Sequence, residues 1–355
     1  MEELLDLVKI SRYAGQRIDL VQAGGGNSSV KTSGGLMMIK ASGFLLSEVT
    51  TEKGFSELSL PSLMGVFSDN SIKSSSSQRE REFLSTEWVK KAQFKGEKPS
   101  IETTFHAILH KYVLHTHPMV VNMIVCREGW KQQLSDIFPD NKICFIDYRT
   151  PGIDLALELD KKINDCGVIP PVTFLQSHGL IVSSDKLEDI FELTEKIVCR
   201  LEDSLGIDFG YYRNSQLLGN VLFDQFGMDD LVYRVEDQWL NQVFVEFPEL
   251  FFMPPITPDV VVFCGSGAVK MQEVYDFEQI EKYRNQFGVF PKVLIFREQI
   301  FLVASSLRKA RESEEVLKFN IQVLKQNRNQ KLNFLSEEEI LYINHWEAEK
   351  YRQKL

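Results

Sequence analysis

Residues 102–118, ETTFHAILHKYVLHTHP, hold four of the chain's six histidines and one glutamate. His115 and His117 stand two apart in a stretch that reads as a strand, and strand alternation sends both imidazoles to one face. Neutral imidazole is a good ligand for zinc and other divalent cations, so the pair suits a metal. His178, in QSHGL at the end of another buried strand, supplies a third ligand. Three protein ligands leave one coordination position open, the pattern of a catalytic rather than a structural zinc site. Glu102, His106 and His110 are spaced four apart in a segment that reads as a helix, so the spacing predicts one shared helical face. One zinc ion cannot take them all. His106 therefore reads as a support for the site or the fold, and His110 as a surface residue. Glu102 has two readings: a general base beside the metal, or an acid at a helix start, favoured by the dipole.

AGGGNSSVK (residues 23–31) and IKASG (39–43) form a second constellation. Their glycines allow close backbone approach. Asn27, Ser28, Ser42 and the adjacent amides can donate to phosphate oxygens. Lys40 adds positive charge, and Ser100 stands just before the segment carrying Glu102. A ligand with a phosphate at one end and metal-bound oxygens at the other fits both constellations.

The elements that must position these residues follow from periodicity and turn residues. An amphipathic helix opens the chain and ends near YAGQR. Short strands broken by glycine turns cover LVQAGGGNSSVKTSGGLMMIKASGF. Residues 69–82, DNSIKSSSSQRERE, read as a polar surface loop. VLHTH is a strand, and Pro118 starts a helix running through PMVVNMIVCREGWKQQLSDIF. NKICFIDY is a strand, DLALELDKKINDCG a helix, PVTFLQSHGLIVSS a strand pair, and KLEDIFELTEKIVCRLEDSLG a long helix. Beyond about residue 213 come a linking helical region at 223–247, a buried strand entered through MPPITPDVVVFCGSG, a hairpin at FPKVLIFREQIFLVASS, and amphipathic helices in LRKARESEEVLKFNIQVLKQ and SEEEILYINHWEAEKYRQ. The expected division is residues 1–214, carrying the site, and 215–355, a smaller α/β module.

At 355 residues the chain exceeds one typical core. Its net charge of −10 argues against a nucleic-acid partner, which would require basic surface. Five scattered cysteines without CxxC spacing point to a reducing compartment. No apolar run approaches membrane-spanning length, and the first residues are an amphipathic helix rather than a signal peptide. The expectation is a cytoplasmic protein.

GGGNSSVK, IKASG, PSIETTFH, HTHP and QSHGL, in this order and spacing, resemble the class II aldolase/adducin family over roughly residues 1–215. The resemblance implies a three-layer α/β/α domain around a mainly antiparallel sheet, and a homotetramer. It implies zinc or another divalent metal on His115, His117 and His178, with Glu102 as catalytic acid/base. It places Asn27, Ser42, Gly43 and Ser100 around a phosphate, with Lys40 close by. Ile101 departs from the two serines that often precede this glutamate. Tyr148, in DYRTPG, is a candidate acid for the leaving aldehyde's oxygen. PPITPDVVVFCGS and the segments after it resemble the aldolase part of bifunctional rhamnulose-1-phosphate aldolase/alcohol dehydrogenases. The expectation there is a chain without the dehydrogenase domain, since no dinucleotide fingerprint follows a strand. The implied activity is zinc-dependent aldehyde-lyase chemistry on a small phosphorylated ketose through a metal-bound enediolate. The alternatives are a sugar-phosphate epimerase or dehydratase on the same site, or a non-catalytic adducin-like scaffold.

Overall fold

The computed structural model describes residues 2–139, 143–228 and 230–345. It divides into two units, Met1–Gly210 and Tyr211–Leu355.

The first unit is built on eight strands: β1 (Asn27–Lys31), β2 (Leu36–Lys40), β3 (Phe55–Ser59), β4 (Gln93–Gly96), β5 (Tyr112–Thr116), β6 (Ile143–Ile146), β7 (Val172–Leu175) and β8 (Gly179–Ser184). Their order across the sheet is β4-β3-β2-β1-β5-β8-β7-β6. Every pairing is antiparallel except β6 with β7. Strand alternation divides the core into two layers. Leu114, Val182 and Phe174 pack toward the helices Glu2–Gly15, Met119–Val125 and Leu187–Leu205. Val113 and Ile181 pack the other way, toward Phe105 and the helix Ile153–Cys166. The result is a three-layer α/β/α domain. The helix Leu187–Leu205 shows its cause in sequence: Ile190, Thr194, Ile197, Val198 and Leu201 repeat at helical spacing and are buried, and Gly206 at φ 65° ends it.

Three expectations change in this unit. The serine-rich stretch is not an extended loop. Asp69 and Ser77 cap the helices Asn70–Ser74 and Gln78–Ala92, and Arg81 pairs with Asp154 at 2.7 Å. The helix after Pro118 is two helices, Met119–Val125 and Trp130–Ile137, broken at Gly129 with φ 71°. The helix expected over Glu102, His106 and His110 spans only Thr103–Ala107. Lys31 Nζ donates to the carbonyls of Leu109 and His110, so a neighbouring strand takes up groups that another helical turn would have used.

The second unit holds β9 (Leu231–Arg234), β10 (Val269–Met271), β11 (Val293–Phe296) and β12 (Gln299–Ala304), in the order β10-β11-β12-β9. The hairpin β11–β12 is as expected. Arg297 and Glu298 both adopt left-handed φ, as a two-residue turn matched to strand twist requires. The linking region contains strand β9 besides helices. PDVVVFC is a helix, Pro258–Cys264, rather than a strand: Thr257 caps it and Pro258 opens it, which outweighs the β preference of three valines. The last helix is Glu337–His345; the remainder of the expected helix lies outside the described residues, as do the first two residues of NKICFIDY. No helix among the described residues is long and apolar enough to cross a membrane.

Candidate metal centre

His115 lies near the end of β5 and His117 follows the strand, while His178 lies in the three-residue turn joining β7 to β8. β5 and β8 are neighbours, with His115 opposite Ile181, so the turn brings His178 to the same end of the sheet. Ser177 takes a left-handed φ of 52° to make that turn, and the backbone of His178 bonds to Leu175. The three side chains converge. His115 Nε2 is 3.2 Å from His178 Nε2 and 3.1 Å from His117 Nε2. Nitrogen ligands bound to one tetrahedral zinc ion would stand roughly 3.3 Å apart.

Hydrogen bonding fixes part of the proton inventory. His115 Nδ1 lies 2.9 Å from the carbonyl of Leu180, which can only accept. Nδ1 therefore carries the proton and Nε2 presents a lone pair to the cluster. One lone pair cannot satisfy two N–H donors, whereas a cation among the three nitrogens would suit all of them. Burial pushes the His115 and His178 pKa values down to about 3 and lowers that of His117, so all three are neutral, ligand-ready imidazoles near neutral pH.

Glu102 stands at the N-cap position of Thr103–Ala107, 6% exposed. Its Oε1 is 3.3 Å from His178 Nε2 and its Oε2 is 3.6 Å from His115 Nε2. Oε2 accepts from Asn27 Nδ2 at 2.6 Å, while Oε1 is buried without a hydrogen-bond partner. A buried carboxylate oxygen left unpaired beside three neutral imidazoles is costly unless something positive joins it. The donor set and this oxygen fit a divalent cation. Glu102 itself makes no side-chain cap to the helix that it precedes; its carboxylate turns to Asn27 and the imidazoles instead.

The structure brings other expected residues around this centre. Asn27 is buried at the end of β1, opposite His115 in register. Besides Glu102, its amide meets His106 Nε2 through Oδ1 and lies 3.4 Å from Ser100 Oγ. Lys40 is buried, and burial lowers its pKa against the opposing charges of Glu102 and Glu48. The bridge between Ala41 and Pro99 sets IKASG beside PSIET. Ser42 is exposed there, though its amide is occupied by the carbonyl of Lys98; Gly43, at φ 86°, faces open space.

Two expected residues do not join. Ser28, next to Asn27 on β1, points to the opposite face, where its hydroxyl bonds to Ser11 at 2.7 Å. Tyr148 is 55% exposed and connects through its backbone amide, which donates to Gln176 Oε1. His110 is away from the cluster, 3.2 Å from Asp185. His106 is fully buried; it bonds to Ser29 Oγ at 2.7 Å and to Asn27, so neither nitrogen is left for a metal.

Sequence reasoning missed the task of the glycines. A Cβ on Gly25 would fall 2.8 Å from His117 Nδ1, and one on Gly179 2.3 Å from the Thr116 carbonyl and 3.1 Å from His117 Cδ2. Both permit close packing around His117. Also missed was the buried Arg17, bonded to Asp19 and Glu195, which anchors the segment whose Leu20 and Asp19 carbonyls accept from the His117 and Met119 amides. The glycines of GGG were visible in the sequence, but not that distant His117 would press on one of them.

The family model described as Class II Aldolase and Adducin N-terminal domain matches residues 5–202. The chain is 27% identical over 208 residues to a Bacillus subtilis (strain 168) protein named uncharacterized oxidoreductase YuxG; the match covers 56% of this chain and 29% of that longer protein. It is similar to the N-terminal class II aldolase domain of a conserved Thermoplasma acidophilum protein, at 27% identity and TM-score 0.46, covering 56% of this chain and 92% of that one. It is also similar to an L-fuculose-1-phosphate aldolase from Thermus thermophilus, at 16% identity and TM-score 0.38, covering 58% and 95%.

Proposed function

The chain belongs to the class II aldolase and adducin family, and from that premise we propose that it is a divalent-metal-dependent aldehyde-lyase acting on a small phosphorylated ketose. The observation that carries the reading is Glu102 Oε1, buried without a hydrogen-bond partner beside three neutral imidazoles. His115, His117 and His178 would hold the metal, and zinc suits an all-imidazole set. When bound, the metal supplies Lewis-acid stabilisation of negative charge on substrate oxygen.

The chain's own residues do the rest. Glu102 Oε1 is the one oxygen of this carboxylate free to take a proton from, or return it to, the carbon beside the substrate carbonyl. Asn27 holds the other oxygen and keeps the carboxylate turned to the imidazoles. Lys40, Ser42, Gly43 and Ser100 would receive the phosphate; the Ala41–Pro99 bridge, which sets their two stretches side by side, and the open space at Gly43 support this. Asn27 serves Glu102 rather than the phosphate in this reading, and Ser28 takes no part. Tyr148, at its exposed position, would have to turn inward to act as an acid.

The test is a panel of phosphorylated ketoses, including L-fuculose 1-phosphate, assayed for aldehyde release with zinc, cobalt or manganese added and after chelation. Metal-dependent release from at least one member is expected. Metal-loaded protein that cleaves none, yet inverts a carbon centre or eliminates water, would replace this reading with the epimerase or dehydratase one.

A further inference from the structure

Ser29, His106, Asn27 and Glu102 form a continuous buried chain of hydrogen bonds that crosses from the sheet to the catalytic carboxylate. Ser29 and His106 are wholly inaccessible and Asn27 is 2% exposed, so no solvent competes for these bonds. An asparagine amide has one accepting and one donating end. Asn27 must present Nδ2 to Glu102, because two oxygens facing each other there would repel. Its Oδ1 is then left to His106, and it can bond there only if His106 Nε2 carries the proton. That tautomer leaves Nδ1 as an acceptor for the Ser29 hydroxyl, 2.7 Å away. The opposite tautomer would put a lone pair against Oδ1 or force the amide to flip, turning an oxygen toward the carboxylate.

We propose that His106 is a positioning residue: through its Nε2–H it sets the orientation of Asn27, and thereby dedicates Glu102 Oε2 to structure and Oε1 to proton transfer. The inference rests on the proposed role of Glu102 as proton carrier. Ser29 completes the chain: its hydroxyl can donate to the unprotonated Nδ1 that this tautomer leaves. Phe105 stacks on the His106 ring at 4.7 Å and also meets His115 edge-on, so the ring cannot rotate freely.

The experiment has two arms. In the first, wild-type protein labelled with ¹⁵N-histidine is studied by long-range ¹H–¹⁵N NMR without metal. His106 is expected to show a protonated Nε2 and an unprotonated Nδ1, and Asn27→Leu should remove the hydrogen-bonded shift of that proton. A protonated Nδ1 would overturn the proposal whatever reaction the protein catalyses. In the second arm, the zinc-loaded protein exchanges the hydroxymethyl protons of dihydroxyacetone phosphate, the smallest phosphorylated ketose, with D₂O. His106→Phe keeps a ring but loses the donor, so exchange at saturation should fall at least about tenfold with zinc content unchanged. His106→Gln can place an N–H near the Nε2 position and should recover most of that loss. Equal rates in wild type and His106→Phe, or equal losses in both variants, would contradict the assignment. A wild type that shows the expected tautomer but no exchange would instead sink the proton-carrier reading of Glu102, and the positioning role with it.

Discussion

Glu102 is buried with a donor on one oxygen and none on the other, and its proposed role as proton carrier rests on that asymmetry. Glu102→Gln preserves size but not basicity, so turnover should fall roughly 10²-fold or more with zinc content retained; turnover near wild type would remove Glu102 from the mechanism. The histidines carry a pH consequence. Folded, His115 and His178 stay neutral down to about pH 3, whereas unfolded imidazoles titrate near ~6.5. Between those values the unfolded chain binds more protons, so stability is full above about 6.5 and falls as pH drops toward ~3. The urea midpoint of metal-free protein should decline as pH falls from neutral to mildly acidic, and less steeply in His178→Gln. The shared direction of His115 and His117 was legible in sequence because strand alternation is local, whereas the approach of His178 depends on the pairing of β5 with β8. The Ser29–His106–Asn27 chain was not, since Asn27 and His106 lie 79 positions apart and only the sheet joins them.

At the scale of elements, the strand ends around His117 are packed too closely for side chains at the adjoining glycines. Gly25→Ala places its Cβ against the His117 ring and should weaken metal affinity about tenfold or more, as displaced support of a ligand does; isothermal titration with zinc reads this. In the second unit, Thr257→Ala removes the cap that accepts from the Val260 amide and should cost about 1 kcal/mol in urea unfolding. Long periodic elements such as Leu187–Leu205 and Leu307–Gln326 were readable from spacing alone. Short ones were not. Three consecutive valines in Val260–Val262 suggest a strand, and only the capping threonine and Pro258 argue otherwise. The polar stretch 69–82 hid two caps, Asp69 and Ser77, because Asp and Ser outside an apolar period read equally as loop or helix start.

For the whole molecule, all site residues discussed lie within Met1–Gly210, a unit with its own sheet and two-sided core. We propose that a 1–214 chain, if soluble, binds zinc on its own, and that residues 215–355 serve another purpose. The architecture of this unit was legible through motifs whose order and spacing resemble the class II aldolase family. The second unit was legible only in part, because strands β9 and β10 are short and gain their stability from β11 and β12. Everything proposed for catalysis depends on a metal held by three histidines. The most direct measurement is zinc content by plasma mass spectrometry of wild type and His117→Ala, after zinc loading and exhaustive dialysis, with circular dichroism confirming equal folding. About one zinc per wild-type chain is expected, and nearly none in the variant. Equal zinc in both, or none in wild type, would contradict the three-histidine site.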